Sequence, residues 1–209
     1  MRRLIVSSAV LVLGVGVSAV LAHAQKRTPD KLSPAASASC AFQDGKTIKT
    51  SYSSPRTRGR KIFAADGLVP YGKPWRAGAQ EATTFQSTAN LEVDGKSVPA
   101  GDYTIFTIPN ADEWKLIISK KTGEWGIPYP GEQYELGRYQ MKVSTLPSSV
   151  EDFKISYIPH GSVCTLQMEW ATTRASIALT EKKQRRHRNR CRCSWRRVPL
   201  SRAAKREPS

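Results

Sequence analysis

Arg138-Tyr139-Gln140-Met141-Lys142-Val143 alternates without a slip, apolar at 139, 141 and 143 and polar at 138, 140 and 142. Successive side chains on an extended backbone point to opposite faces, so this pattern is a strand with one buried and one wet side. The same period returns at Phe153, Ile155 and Tyr157, at Leu166, Met168 and Trp170, and at Trp114, Leu116 and Ile118. Asp44-Gly45 stands between strand-like runs at 38–42 and 46–52, and Asp94-Gly95 between runs at 91–93 and 96–98. Asp-Gly favours the two-residue turns that join antiparallel neighbours. Pro99-Ala100-Gly101 opens a further run at 102–108, and Pro109-Asn110-Ala111-Asp112 leads into 113–119. Runs at 163–170 and 173–179, joined by a turn at Ala171-Thr172, close the pattern. No apolar stripe at helical spacing is long enough for a major helix. About nine short strands therefore predict an all-β, antiparallel β-sandwich or barrel-like fold.

Outward from this body the composition changes twice. The formal charge of +16 suggests a nucleic-acid binder until it is mapped. Residues 182–209 carry 12 of the basic side chains against the single acid Glu207, whereas residues 25–181 hold 19 basic and 16 acidic residues. The body is nearly balanced, which argues against a nucleic-acid partner. Residues 183–209 read as a disordered basic tail or a frameshifted gene end. At the other end, Arg2-Arg3, an apolar run over 4–21 and Ala22-His23-Ala24 have the order of a secretory leader, giving 1–24 as signal peptide and 25–37 as linker. The domain is then 38–182, exported to the periplasm or the extracellular space. Membrane contact is expected only through an uncleaved leader or weak electrostatics of the tail.

In an oxidising compartment Cys40 and Cys164, the two cysteines of the body, are a disulfide candidate. Each shares strand parity with apolar neighbours, so two separate buried thiols are the alternative. His187, Cys191 and Cys193 lie in the tail and make a weak metal signal. His160, the body's one histidine, sits in a Pro-His-Gly-Ser turn and reads as a solvent-exposed turn residue. No metal and no cofactor is expected.

Residues 54–85 form one long irregular stretch, dense in cations, glycines and prolines, as functional loops are. Arg56, Arg58 and Arg60 stand at i, i+2 and i+4, which on an extended backbone fans three guanidiniums to one side. With Lys61, Lys73 and Arg76, and with Tyr71 and Trp75 as walls, they make a candidate anion pocket. The bland reading of Trp75 is a core anchor. Glu81, the acid among these cations, reads either as a structural pin with a lowered pKa or as a site carboxylate. A second candidate surface is the stretch around Trp125, Tyr129 and Tyr134, aromatic platforms beside Glu132 and Glu135 that suit a sugar. Its bland reading is aromatics folded back to cap the sandwich. Glu81, Glu132 and Glu135 are the weak catalytic candidates.

These motifs resemble the DUF2911 family, exported bacterial domains with no biochemical activity attached. The resemblance rests on Arg58-Gly59-Arg60-Lys61-Ile62-Phe63, Leu68-Val69-Pro70-Tyr71-Gly72-Lys73, Trp75-Arg76, Gly78-Ala79, Glu81-Ala82-Thr83-Thr84, Pro99-Ala100-Gly101-Asp102-Tyr103 and Thr122-Gly123-Glu124-Trp125-Gly126. Ala64-Ala65-Asp66, Pro74 and Gln80 depart from its pattern. The resemblance implies an identity and a compartment, and brings no catalytic residues. The expected role is an exported binding module for a small anionic or sugar ligand or another exported protein; the alternative is a carbohydrate-active hydrolase using paired carboxylates.

Overall fold

The structure, a computed structural model, describes residues 33–183. The expected leader, most of the expected linker, and the tail with His187, Cys191 and Cys193 lie outside the described residues. Eleven strands follow in order: β1 (Ala35–Ala41), β2 (Thr47–Ser53), β3 (Phe63–Ala64), β4 (Val69–Pro70), β5 (Thr83–Ser87), β6 (Leu91–Val93), β7 (Lys96–Val98), β8 (Gly101–Pro109), β9 (Glu113–Ser119), β10 (Glu135–His160) and β11 (Val163–Glu181). Nine of them form one antiparallel sheet in the order β1-β2-β5-β8-β9-β10-β11-β6-β7, and β3 and β4 make a small parallel pair. No described helix is long and apolar enough to cross a membrane.

Both Asp-Gly pairs turn as expected. Asp44 accepts the Lys46 amide at 3.0 Å, and Asp94 and Gly95 both take positive φ, 48° and 72°. The domain begins earlier than residue 38, because Ala35 to Ser37 already pair with Ser53 to Ser51 of β2.

β10 and β11 turn the sheet back on itself. The start of β10 pairs with β9, Tyr139 opposite Leu116, and the remainder pairs with β11, with register shifts around Val150. What reads as two strands on either side of Ala171-Thr172 is one continuous β11, bent where Ala171 adopts φ 51°. The bend brings its ends together: the Glu181 amide donates to the Ser162 carbonyl at 2.7 Å. Cys40 of β1 and Cys164 of β11 form a disulfide across the fold, their Cα atoms 6.3 Å apart.

The inward residues of both halves share one core that runs from Ile48, Phe85 and Ile105 to Leu166, Met168 and Leu179. One end of it is aromatic. Trp75 stacks on Trp170 at 5.8 Å, while Phe63 meets Trp114 edge-on at 4.6 Å. A smaller core of Ala82, Phe106 and Ile117 lies on the outer face of the sheet, where the chain after β9 covers it.

Candidate functional site

The 54–85 stretch is not a loop throughout. Its last residues are β5, an interior strand between β2 and β8, and Trp75 extends that pairing through reciprocal backbone bonds to Thr107, both 2.7 Å. The arginine fan is not formed. Arg58 and Gly59 both take positive φ, 49° and 69°, and the Arg60 amide closes a turn onto the Thr57 carbonyl at 3.0 Å. A turn sends alternate side chains in different directions, so residues at i, i+2 and i+4 here do not share one face.

Arg56, Arg60 and Lys61 each have a local role. Arg56 Nε donates to Asp152 at 2.8 Å, and Arg60 donates to the carbonyls of Thr57 and Arg56. Lys61 pairs with Asp66 at 2.7 Å. The Glu151 carboxylate accepts the Thr57 hydroxyl and the Arg58 amide, and these bonds hold it below its ordinary range. The basic turn is thus fastened to β10. Tyr71 is half-buried and Lys73 exposed. Trp75 is a core anchor, its indole N–H donating to the Gly78 carbonyl at 3.1 Å.

Glu81 is not ringed by cations. It is exposed and has no hydrogen bond or ion pair among the described residues. What presents it is a turn over residues 76–80 with unusual constraint. Ala77 and Gln80 take positive φ, 52° and 60°, a region that residues with a Cβ rarely occupy. Four bonds hold that shape besides the Trp75 indole. The Thr83 hydroxyl donates to Ala77 O at 2.7 Å, the Ala79 amide to Ser53 O at 3.0 Å, the Thr83 amide to Arg76 O at 3.3 Å, and the Gln80 side chain to Ser33 O at 3.1 Å.

Glu81 borders a trough of about 520 Å³ on the outer face of β1, β2 and β5, whose lining includes Ala35, Ser37, Ser51, Ser53 and Thr84. Small and hydroxyl side chains keep its floor low.

The chain between β9 and β10 folds back over the outer face beside this trough. The Ala82 amide donates to the Glu124 carbonyl at 3.0 Å. Gly126, at φ 84°, packs where a Cβ would lie 2.9 Å from Ala82 Cβ and 3.0 Å from Arg76 Cβ, so the approach requires glycine. Arg76 donates Nη1 to the Trp125 carbonyl at 2.9 Å and lays its guanidinium 5.5 Å from the Trp125 ring centre. Burial holds that guanidinium below its ordinary pKa.

The three aromatics of this stretch divide. Tyr129 turns inward, edge-on to Phe106 at 5.0 Å, while Trp125 is 56% exposed and Tyr134 carries the Lys121 ammonium 5.0 Å above its ring. Glu132 and Glu135 both bind Arg138, and Glu135 also accepts the Tyr129 hydroxyl. Burial pushes Glu135 upward, but the bonds from Arg138 and Tyr129 outweigh it and hold the carboxyl below its ordinary value. Such a group is a poor proton donor near neutral pH. His160 lies exposed at its turn.

Four of the pieces that resemble a known family by sequence are therefore neighbours in space. Trp75-Arg76, Gly78-Ala79, Glu81-Ala82-Thr83-Thr84 and Gly123-Glu124-Trp125-Gly126 meet around Ala82. A family profile described as "Protein of unknown function (DUF2911)" matches residues 33–179. The chain belongs to the DUF2911 family. No curated protein and no solved structure matches it. In this DUF2911 domain the floor residues Ser37, Ser51 and Ser53 carry no signal in the sequence beyond outward strand parity, and sequence reasoning did not reach them.

Proposed function

We propose that this DUF2911 domain is an exported binding module that holds a small polar ligand in the Glu81 trough. The carrying observation is the 76–80 turn, in which backbone strain and several hydrogen bonds set the chain that presents a carboxylate with no partner among the described residues. Strain of this kind persists only where the surroundings over-determine it, and it clusters at ligand clamps. The exposed Trp125, steadied by Arg76 next to Ala82, adds an aromatic edge suited to the apolar face of a sugar ring. The trough's size suits one small ligand. A binding role is favoured over hydrolysis because Glu132 and Glu135 are bound to one guanidinium. The Cys40–Cys164 bridge suits a compartment outside the reducing cytoplasm.

The test is a thermal-shift screen of the full chain against neutral sugars, amines, sulfate, phosphate and small carboxylates. A ligand that binds only the native state raises the melting temperature by mass action. The shift should vanish in Ser51→Trp, which fills the trough from an exposed position, and weaken in Trp125→Ala. A shift that survives Ser51→Trp, or no shift from any class, overturns the proposal.

A further inference from the structure

We infer that the ligand carries a protonated amine on a hydroxylated body, an amino sugar, with Glu81 as the counter-charge; this rests on the trough being the ligand site. Glu81 is the one ionisable acid or base among the residues lining the trough apart from the Tyr52 phenol. That phenol is engaged elsewhere, accepting the Ile155 amide at 2.9 Å.

No cation of the described residues is ion-paired with the carboxylate. Arg76 is turned to the Trp125 carbonyl, Arg56 to Asp152, Arg60 to two backbone carbonyls and Lys61 to Asp66. An anionic ligand would meet a carboxylate that no cation of the described residues pairs with, whereas a cation would supply that partner.

The rest of the lining favours hydroxyls. Ser37, Ser51 and Ser53 have side chains without hydrogen bonds among the described residues, and each hydroxyl both donates and accepts. Thr84, by contrast, is committed to the Ser51 backbone. An ammonium has three donors and no acceptor, so one carboxylate and neighbouring hydroxyl oxygens can satisfy it. Charge-assisted bonds of this kind are about twice as strong as neutral ones. The 76–80 turn sets the backbone at Glu81 before the ligand arrives, so only the carboxylate's own rotamers remain to be ordered on binding.

The test compares three sugars that differ at one position: glucose, 2-amino-2-deoxyglucose and its N-acetyl derivative. Titration calorimetry or NMR titration of the full chain at low salt and pH 6.5 reads the affinities. The amine should bind about tenfold more tightly than the two uncharged sugars, and added salt should erode only that advantage. Glu81→Gln, at an exposed position, should remove the amine's advantage, so that the three sugars bind alike. Glu81→Asp should keep part of the preference. Equal affinities for the three sugars, or a preference that survives Glu81→Gln, overturn the amine assignment and leave the trough reading standing. No binding of any of the three, in a chain whose wider screen is also blank, overturns both.

Discussion

The guanidinium of Arg76 lies 5.5 Å from the ring centre of Trp125 and also donates to the carbonyl of that same residue. A ring gripped through both its face and its backbone has little freedom to swing. Arg76→Ala should therefore release the indole while leaving the fold intact, at a cost of about 0.5–1 kcal/mol. Nitrogen relaxation of the Trp125 indole, or its quenching by iodide, reads the effect. An indole as rigid in Arg76→Ala as in the parent would show that the surrounding chain, and not the arginine, holds it.

Two glycines of the same stretch should respond differently to alanine. Gly123 takes φ 72° with nothing near the missing Cβ, so only backbone strain opposes Gly123→Ala, about 1 kcal/mol. Gly126→Ala adds a collision with Ala82 and Arg76 and should cost about 2 kcal/mol or more. It should also speed hydrogen exchange at the Ala82 amide, whose acceptor is Glu124. Denaturant midpoints of the two variants settle the ranking, and equal midpoints would mean the chain shifts to accommodate the methyl.

Acid should loosen the same region. The Glu135 carboxyl is held below its ordinary value of 4.5, so its folded pKa is below its unfolded one. Its contribution is complete above about pH 4.5 and is lost as the pH falls through the lowered folded value. Protection of the Lys120 amide, bonded to Tyr134 O, should fall over that window when exchange is normalised to the intrinsic rate. Glu135→Gln should be less stable at neutral pH and should flatten the acid limb of a melting-temperature profile. A profile of unchanged slope would place the acid sensitivity elsewhere.

How far the fold was legible depended on where period two was carried by apolar residues. Trp114, Leu116 and Ile118, or Tyr139 and Met141, declare their faces outright. β5 does not, because its inward residues are Thr83, Phe85 and Ser87, and two of the three are hydroxyl side chains. An interior strand was thus hidden inside what reads as a loop. Ala171-Thr172 shows the opposite error. A positive φ at Ala171 bends β11 without ending its pairing, so a bend reads as a turn. At the site, sequence density placed Glu81 among cations, but the 56–60 turn ties its arginines to one another and to β10, and Arg76, though near Ala82, is engaged by Trp125. Proximity along the chain stood in for proximity in space. The serine floor of the trough comes from strands that meet only on folding.

The disulfide closes a separation of 124 residues between Cys40 and Cys164. In the chain-entropy account a loop of this size contributes about 4–5 kcal/mol, because it restricts the unfolded chain. Reduction, or the double change Cys40→Ala with Cys164→Ala, should lower the denaturant midpoint accordingly. A loss below about 1 kcal/mol would mean that the unfolded chain is already compact or that the bridge strains the native state.

One buried polar group points to a substitution that should help. Thr107 is fully buried, and its Oγ1 has no hydrogen-bond partner among the described residues. A hydroxyl left without a partner in an apolar interior carries a desolvation cost of about 1–3 kcal/mol, and an apolar group of the same shape removes it. Valine keeps the branch at Cβ and the backbone pairing with Trp75. Thr107→Val should thus raise stability by up to about 1 kcal/mol, read as a higher denaturant midpoint. The Trp114 indole N–H is likewise without a partner, but Trp114→Phe should lower the midpoint, because the volume lost beside Phe63 and Trp75 outweighs the relief. A destabilised Thr107→Val would show that the hydroxyl is bonded in solution, most simply to a buried water between β8 and the aromatic cluster.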